Sequence, residues 1–393
     1  MPIRCAWIVV APVLLILVAG CDQAEPASGA TVAPLTATPV PPTHAPASPT
    51  ATNASAPDVI SVDTAGQVER LVTLSGHSDR VTGLAFSGDG AYVASSSWDD
   101  TIRLWEVPGG PEVATFRASD VDLNGIDFSP DGSLLASGEA IWEVDTQQVV
   151  HVLERSIQTG AVAFSPDGST LAVASVALPV RLWDVASGQV VRTLEGQAGD
   201  VAFSIVFSPD GGLLAAGMHG GRVRLWEAAS GHLAGTLEYG NDHDVHDVAF
   251  SPDGRLLASA GTDYAVRLWD VATGQVVHTL GTWDGLYGVA FSPDGAIVAS
   301  AGCDRTVKLW EVASGQLVRS LRHADEVMAV AFSPDGTLLA SGGYDNQIYL
   351  WGIPGSEDTA ASPAPPPTNP LADEASPAAT EEPRSPLSFE KSE

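Results

Sequence analysis

The pentapeptide Phe-Ser-Pro-Asp-Gly starts six times in this chain, at Phe128, Phe164, Phe207, Phe250, Phe291 and Phe332. A seventh copy, with Gly in place of Pro, starts at Phe86. A Trp follows each copy, in most of them nineteen residues on: Trp105, Trp142, Trp183, Trp226, Trp269, Trp310 and Trp351. The Trp-to-Trp steps are 37, 41, 43, 43, 41 and 41 residues. A period in the low forties, built from short strand-forming runs and turns, marks a repeat array in which each unit buries its apolar faces against its neighbours. Such arrays are built to present surfaces, so binding is the first function to test against this chain.

One repeat shows what the period contains. Gln67 to Leu74 alternates as a strand and ends at Gly76-His77, and Val81 to Phe86 is a second run of β-branched and aromatic residues. Ser87-Gly88-Asp89-Gly90 then makes a tight turn, written Ser-Pro-Asp-Gly elsewhere. Pro presets the first central turn position, Asp bonds locally, and Gly takes the left-handed conformation. Ala91 to Ser97 is a third strand, Trp98-Asp99-Asp100 a turn, and Thr101 to Val107 a fourth. Four antiparallel strands every forty-odd residues make one propeller blade, and almost no helix is expected.

The sevenfold pattern of Gly-His, Phe-Ser-Pro-Asp-Gly and Leu-Trp-Asp/Glu resembles the WD-repeat β-propellers over residues 61–354. The resemblance implies an all-β, seven-bladed ring in which each repeat's first strand lies outermost in the preceding blade. The strand at about 67–74 would then pair beside Gln347–Ile353 and close the ring. It also implies buried hydrogen-bonded tetrads, His77, Ser95, Asp99 and Trp105 in blade one, and His323, Ser341, Asp345 and Trp351 in blade seven. Their hydrolase-like composition is read as bracing, because a satisfied buried network rigidifies a blade without giving a substrate access.

The other blades depart from this set. Blade five keeps Ser259, Asp263 and Trp269 but has Asn241 at the His position, with His243 as a substitute through a shifted loop. Blade six keeps Ser300, Asp304 and Trp310 with Thr282 at that position. Blade two keeps Ser137 but loses the turn that would carry Asp. Val173 and Ala177 in blade three, and Ala216 and Gly220 in blade four, replace Ser and Asp. These three blades are expected to rely on apolar packing and to be less rigid.

In this family ligands meet the face formed by the loops entering the innermost strand and the turns before the last strand. The position four before each motif Phe gives Thr82, Asn124, Gly160, Phe203, His246, Tyr287 and Met328. The position before the tetrad Asp gives Trp98, Val176, His219, Thr262, Cys303 and Tyr344. Trp98, Trp283, Tyr287, Met328 and Tyr344 form an aromatic arc over blades six, seven and one, with Phe203 and His246 beside it. Aromatic and Met side chains grouped on an exposed face are what binding hot spots use, although inward-folding side chains would plug the channel instead.

Weaker candidates are His219, His243 and His246 with Asp242, Asp244 and Asp247, whose residue types can hold zinc but read better as a solvated polar loop. Turn chemistry accounts for the seven aspartates from Asp89 to Asp335, and Cys303 reads as a small filler in a turn. No metal, cofactor or catalytic residue is assigned.

The ends have a different character. Residues 1–20 read as a signal peptide, with Arg4 before the apolar stretch Ala6 to Ala19. Leu17-Val18-Ala19-Gly20-Cys21 resembles a bacterial lipobox, which implies lipid attachment at Cys21 and a mature chain whose one remaining thiol, Cys303, forms no intramolecular disulfide. Residues 21–60, rich in Ala, Pro and Thr and without Lys or Arg, read as a stalk that reaches roughly 120 Å at about 3.1 Å per residue. Residues 355–393, rich in Pro, Ala and Glu, read as a disordered tail. Residues 61–354 carry 37 acidic and 15 basic side chains, so −22 of the formal −30 belongs to the repeat region. That excess argues against nucleic acid and anionic lipid as partners of the ring.

The sequence is therefore expected to encode a non-enzymatic scaffold, lipid-anchored on the outer side of a bacterial cytoplasmic membrane and offering a rigid face to a protein or peptide. The rival expectation is a propeller enzyme, or a ligand- or metal-binding sensor, for an extracellular small molecule.

Overall fold

The computed structural model describes residues 58–355, apart from 118–124, 139, 154–158, 176–178, 195, 197–200, 240–242 and 283. The signal, Cys21, nearly all of the stalk, the tail, and Asn124, Val176, Ala177, Asn241, Asp242 and Trp283 therefore lie outside the described residues.

Seven four-stranded antiparallel sheets follow one another, and their innermost strands neighbour each other in a closed cycle. Among the described residues the only helical element is the single 3-10 turn Ala65–Gln67. Blade one runs Val81–Phe86, Tyr92–Ser97, Thr101–Glu106 and Glu112–Arg117 from the channel outwards. Blade seven takes three strands from the end of the repeat region, Val327–Phe332, Leu339–Gly343 and Gln347–Gly352. Its fourth is the first strand of the chain, Glu69–Ser75. The ring thus closes as the repeat phase requires, with Thr73 opposite Tyr349 and Ser75 opposite Gln347.

The wedge that completes this closure begins earlier than residue 61. Ile60, assigned above to the stalk, is fully buried with Ala65 and Val68 among Ile297, Leu309, Leu339 and Trp351 of blades six and seven. Its N–H donates to the Gly336 carbonyl at 2.9 Å, in the Ser-Pro-Asp-Gly turn of blade seven. An isolated apolar pair in a Pro/Thr/Ala-rich stretch gives no periodicity to read, so the boundary moves only when the packing is seen. The described chain thus enters the ring at the face of these turns. Strand Gln347–Gly352 leads back to the same face, since a Cβ on Gly352 would stand 3.1 Å from the Thr337 carbonyl oxygen.

Those turns interlock around the ring. In each, a Ser hydroxyl and a backbone N–H two residues on donate to the Asp, as Ser251 Oγ (2.6 Å) and Arg255 N (3.0 Å) do for Asp253. These bonds hold the carboxyls of Asp89, Asp131, Asp167, Asp210 and Asp253 below the usual carboxylate range. In six of the seven the following Gly sits against the Pro of the preceding blade, as Gly295 does against Pro252, while Gly132 follows the Gly88 turn and has no such neighbour. The departure at Gly88 has a steric cause: a Cβ there would lie 2.6 Å from the Pro130 carbonyl oxygen.

A second regularity concerns the sheet edges. The pairing register shifts in the outermost strand of every blade, next to the motif Trp. Bulges twist an exposed edge away from further strand addition.

Candidate functional site: an aromatic belt at the channel mouth

The innermost strands also carry bulges, and these build the site. Register jumps from Val81 to Gly83, Ala202 to Ser204, Val245 to Asp247, Leu286 to Gly288 and Val327 to Ala329. The residues skipped are Thr82, Phe203, His246, Tyr287 and Met328, five of the seven read from the sequence four positions before each Phe; Asn124 lies outside the described residues, and in blade three the register shifts between Thr159 and Val162, across Gly160 and Ala161. A bulge re-aims one side chain out of the pleat, so each of these blades delivers one half-buried side chain to the channel mouth.

On blades four to six these side chains stack. The Phe203 and His246 rings meet edge to face at 5.5 Å, and His246 lies nearly parallel to Tyr287 at 5.5 Å. His246 Nδ1 bonds the Leu286 carbonyl oxygen at 2.9 Å, and burial lowers the pKa of the ring against the opposing pull of that bond and of Asp244. Tyr287 Oη donates to Glu326 of blade seven at 3.3 Å. Burial and the Glu326 charge push the Tyr287 hydroxyl up, while burial, Asp325 and Asp284 raise Glu326.

The belt continues through a residue that the sequence did not single out. The Arg80 guanidinium lies 3.7 Å from the Trp98 ring centroid and 4.3 Å from that of Tyr344, and donates to Tyr344 Oη at 2.7 Å. Trp98 is thus engaged by a cation of its own blade, and Tyr344 is tied across the first-to-last-blade junction. A lone Arg in an entrance loop carries no periodic signal, and its role depends on two rings about 18 residues downstream and 264 residues away.

The three histidines weighed as zinc ligands, two of them on the polar loop, diverge. His219 pairs with Asp244 at 2.6 Å, His243 lies 3.4 Å from Thr262 Oγ1, and His246 joins the ring stack. Among the described residues no group of three or more His, Cys, Asp or Glu is placed to hold a metal. Cys303 is buried and disulfide-bonded, which corrects the expectation of a lone thiol. The other cysteines of the sequence, Cys5 and Cys21, lie outside the described residues.

Beneath the belt the tetrads take three forms. In blade one, Ser95 Oγ accepts from Trp105 Nε1 at 2.9 Å and meets His77 Nε2 at 2.7 Å, while His77 Nδ1 meets Asp99 at 3.0 Å. Burial opposes the Asp99 charge, but bonds from His77, Thr101 and the Ser78 N–H hold its carboxyl well below the usual range. Blade seven keeps Ser341 Oγ between Trp351 Nε1 and His323 Nε2, both at 2.6 Å, but its His323 Nδ1 and Asp345 Oδ2 pair only at 3.5 Å, without a hydrogen bond. Tyr349, whose ring centroid lies 4.3 Å from that of His323, packs beside that gap.

In blades five and six a cation four residues on takes the Asp instead, Arg267 on Asp263 and Lys308 on Asp304. His243 does not supply the fifth blade's missing group. Tyr239 does, donating to Ser259 Oγ at 2.5 Å while stacking on Trp269, with Arg267 4.0 Å from its ring centroid. Its backbone N–H bonds the Gly221 carbonyl as that of His323 bonds Arg305, so the two positions are equivalent. In blade three, where Val173 replaces Ser, the buried Trp183 Nε1 has no hydrogen-bond partner.

The channel wall itself is pinned by two carboxylates. Asp247 accepts from Ser204 Oγ of blade four (2.7 Å) and Val289 N of blade six (2.8 Å), spanning three blades. Asp127 accepts from Phe164 N of blade three at 2.8 Å. Burial pushes them up to about 6 and about 7 respectively.

Comparison with known proteins agrees with this architecture. The family model described as "WD domain, G-beta repeat" matches residues 68–106, 110–140, 188–227, 231–270, 274–311 and 315–352, more than half of the chain. The unmatched interval 141–187 carries most of blade three, where Val173 has replaced the tetrad Ser. The chain is 41% identical over 70 residues to an uncharacterized WD repeat-containing protein of Synechocystis, covering 18% of this chain and 20% of that one. It is 37% identical over 131 residues to mitochondrial division protein 1 of Pyricularia oryzae, covering 33% of this chain and 18% of the relative. It is 28% identical over 153 residues to pre-mRNA-processing factor 19 homolog 2 of Arabidopsis thaliana, covering 35% and 28%. The chain thus spans less than a third of the length of each of these relatives. With six matched repeats and seven closed blades, it belongs to the WD-repeat family.

Proposed function

We propose that this protein is a protein-interaction scaffold, tethered outside the cytoplasm through a lipid on Cys21, whose belt face receives a protein or peptide partner. WD propellers generally bind proteins. The observation that carries the reading for this chain is the row of bulges that delivers Phe203, His246, Tyr287 and Met328 side by side at the mouth. Contact groups fixed by a closed ring lose little entropy on association. Hydrolase chemistry is disfavoured because Ser95 and Ser341 are fully buried within their blades.

The test compares the mature protein with a His246→Ala/Tyr287→Ala/Met328→Ala variant by crosslinking and affinity capture from an envelope extract. Loss of a specific partner at unchanged thermal stability supports the belt as its site, and retention of every partner overturns it. The tether is tested separately by Cys21→Ser, which should move the protein from the membrane to the soluble fraction.

A further inference from the structure

Seven exposed turns of this ring carry Asp followed by Gly, and that dipeptide has a chemistry of its own. The Gly amide nitrogen can attack the Asp side-chain carboxyl carbon. A C–N bond forms, a carboxyl C–O bond breaks, and the oxygen leaves as water with the amide proton and the acid proton. The resulting succinimide reopens by adding water at either carbonyl, giving Asp or isoaspartate, in which the chain runs through the β-carboxyl. No oxidant or other reactant is consumed. The attack needs a Gly N–H released from hydrogen bonding and a carboxyl that is protonated rather than ionised.

The fold withholds both. In all seven turns the Gly N–H donates to the Ser carbonyl three residues back, for example Gly211 to Ser208 at 2.8 Å. In all seven the Asp accepts from that Ser hydroxyl and from the N–H two residues on. Reaction therefore requires local opening of the turn, and the rate follows the free energy of that opening.

The turns are not equally held. Asp131, Asp167 and Asp335 gain a further bond from the hydroxyl of Ser133, Ser169 or Thr337. Asp89, Asp253 and Asp294 lack one, but their blades are braced by Ser95, Ser259 and Ser300, each bonded to its Trp. Asp210 has neither support. Its next residue but one is Gly212, with no hydroxyl, and Ala216 and Gly220 stand at the Ser and Asp positions of its blade. We propose that Asp210–Gly211 is a site of spontaneous isoaspartate formation, gated by opening of the blade-four turn.

Such a link inserts a backbone carbon into a turn whose Gly packs against Pro166 of the neighbouring blade, so it would loosen the interlocked face. The chemical class that would act on it is a methyltransferase that esterifies the isoaspartyl carboxylate from a methyl-donor cosubstrate.

The purified protein is held at neutral pH and 37 °C for several weeks and peptide-mapped for isoaspartate, natively and in denaturant. Natively, residue 210 should accumulate it several-fold faster than the other six turns, and in denaturant the seven should converge. Gly212→Ser, which copies blades two and three, should slow residue 210 to the level of its neighbours. A Cβ there would stand 3.3 Å from Asp210 Oδ1, a tight contact that needs the carboxylate to shift by a few tenths of an ångström. Equal native rates at all seven turns, no excess at 210, or no response to Gly212→Ser would overturn the assignment. If Gly212→Ser destabilises the ring, the comparison of the seven turns in the unaltered protein decides alone.

Discussion

Arg80 Nη1 donates to Tyr344 Oη at 2.7 Å, joining the entrance loop of the first blade to a turn of the last. Ring closure is therefore made twice, by strand pairing at the rim and by a cation between two rings at the mouth. Arg80→Ala should lower stability by about 1–2 kcal/mol, from one cation–π clamp and one charge-assisted bond. Arg80→Lys should recover only part of this, since an ammonium does not cover two rings with a planar group. Thermal unfolding followed by circular dichroism measures both, and an Arg80→Ala protein as stable as the parent refutes the clamp.

Gly88→Pro restores the residue found at this turn position in the other six blades, so repeat statistics favour it. The structure says the opposite, because the added Cβ meets the Pro130 carbonyl oxygen. We expect a loss of about 1–3 kcal/mol by overpacking, read as a lower midpoint in urea. A gain in midpoint would show that the turn can move aside.

Trp105 and Trp183 offer a reciprocal pair of tests. Ser95→Ala removes the acceptor of a buried indole N–H and a partner of His77, and should cost about 1–3 kcal/mol. Val173→Ser places a hydroxyl where the Trp183 indole has no partner. It should cost clearly less than Ser95→Ala, the new bond offsetting the lost apolar burial. Equal losses in the two variants would mean the indole partner contributes nothing.

Asp127 and Asp247 are raised by burial to about 7 and about 6, so the folded ring binds protons that the unfolded chain releases. Their contribution is fully present below the ordinary carboxylate pKa and is lost as pH rises through about 6–7. Asp99 is held low by its bonds, so its contribution is present above the ordinary range and lost on acidification. Stability should therefore fall from pH 5 to pH 8, and Asp247→Asn should flatten that slope. Urea midpoints across pH 4–8 check this, and a midpoint that rises steadily to pH 8 contradicts it.

Much of the ring was legible because its determinants are local and repeat. Phe-Ser-Pro-Asp-Gly fixes a turn, the Trp fixes a strand, and the phase of the first strand fixes closure. The bulge residues were legible too, through a constant offset from the motif Phe. What escaped reading depends on partners far apart in sequence. Arg80 gains its role from Tyr344, Asp247 from Ser204 and Val289, and Ile60 from a pocket between the last two blades. Tyr239 escaped for a different reason: the loop after it shifts the count, so alignment by residue number pointed to Asn241. The open His323–Asp345 pair escaped because composition names a tetrad's members and not their distances.

The way the chain enters at Ile60 has a mechanical consequence. The strand Glu69–Ser75 runs away from the turn face, antiparallel to Gln347–Gly352. A pull on the stalk side reaches that strand at its first residue and in line with its own direction. The paired rungs from Glu69 to Ser75 are then loaded in shear, all at once, rather than peeled one after another. The seam that closes the ring is thus one that would meet tension from its N-terminal side as a single sheared unit.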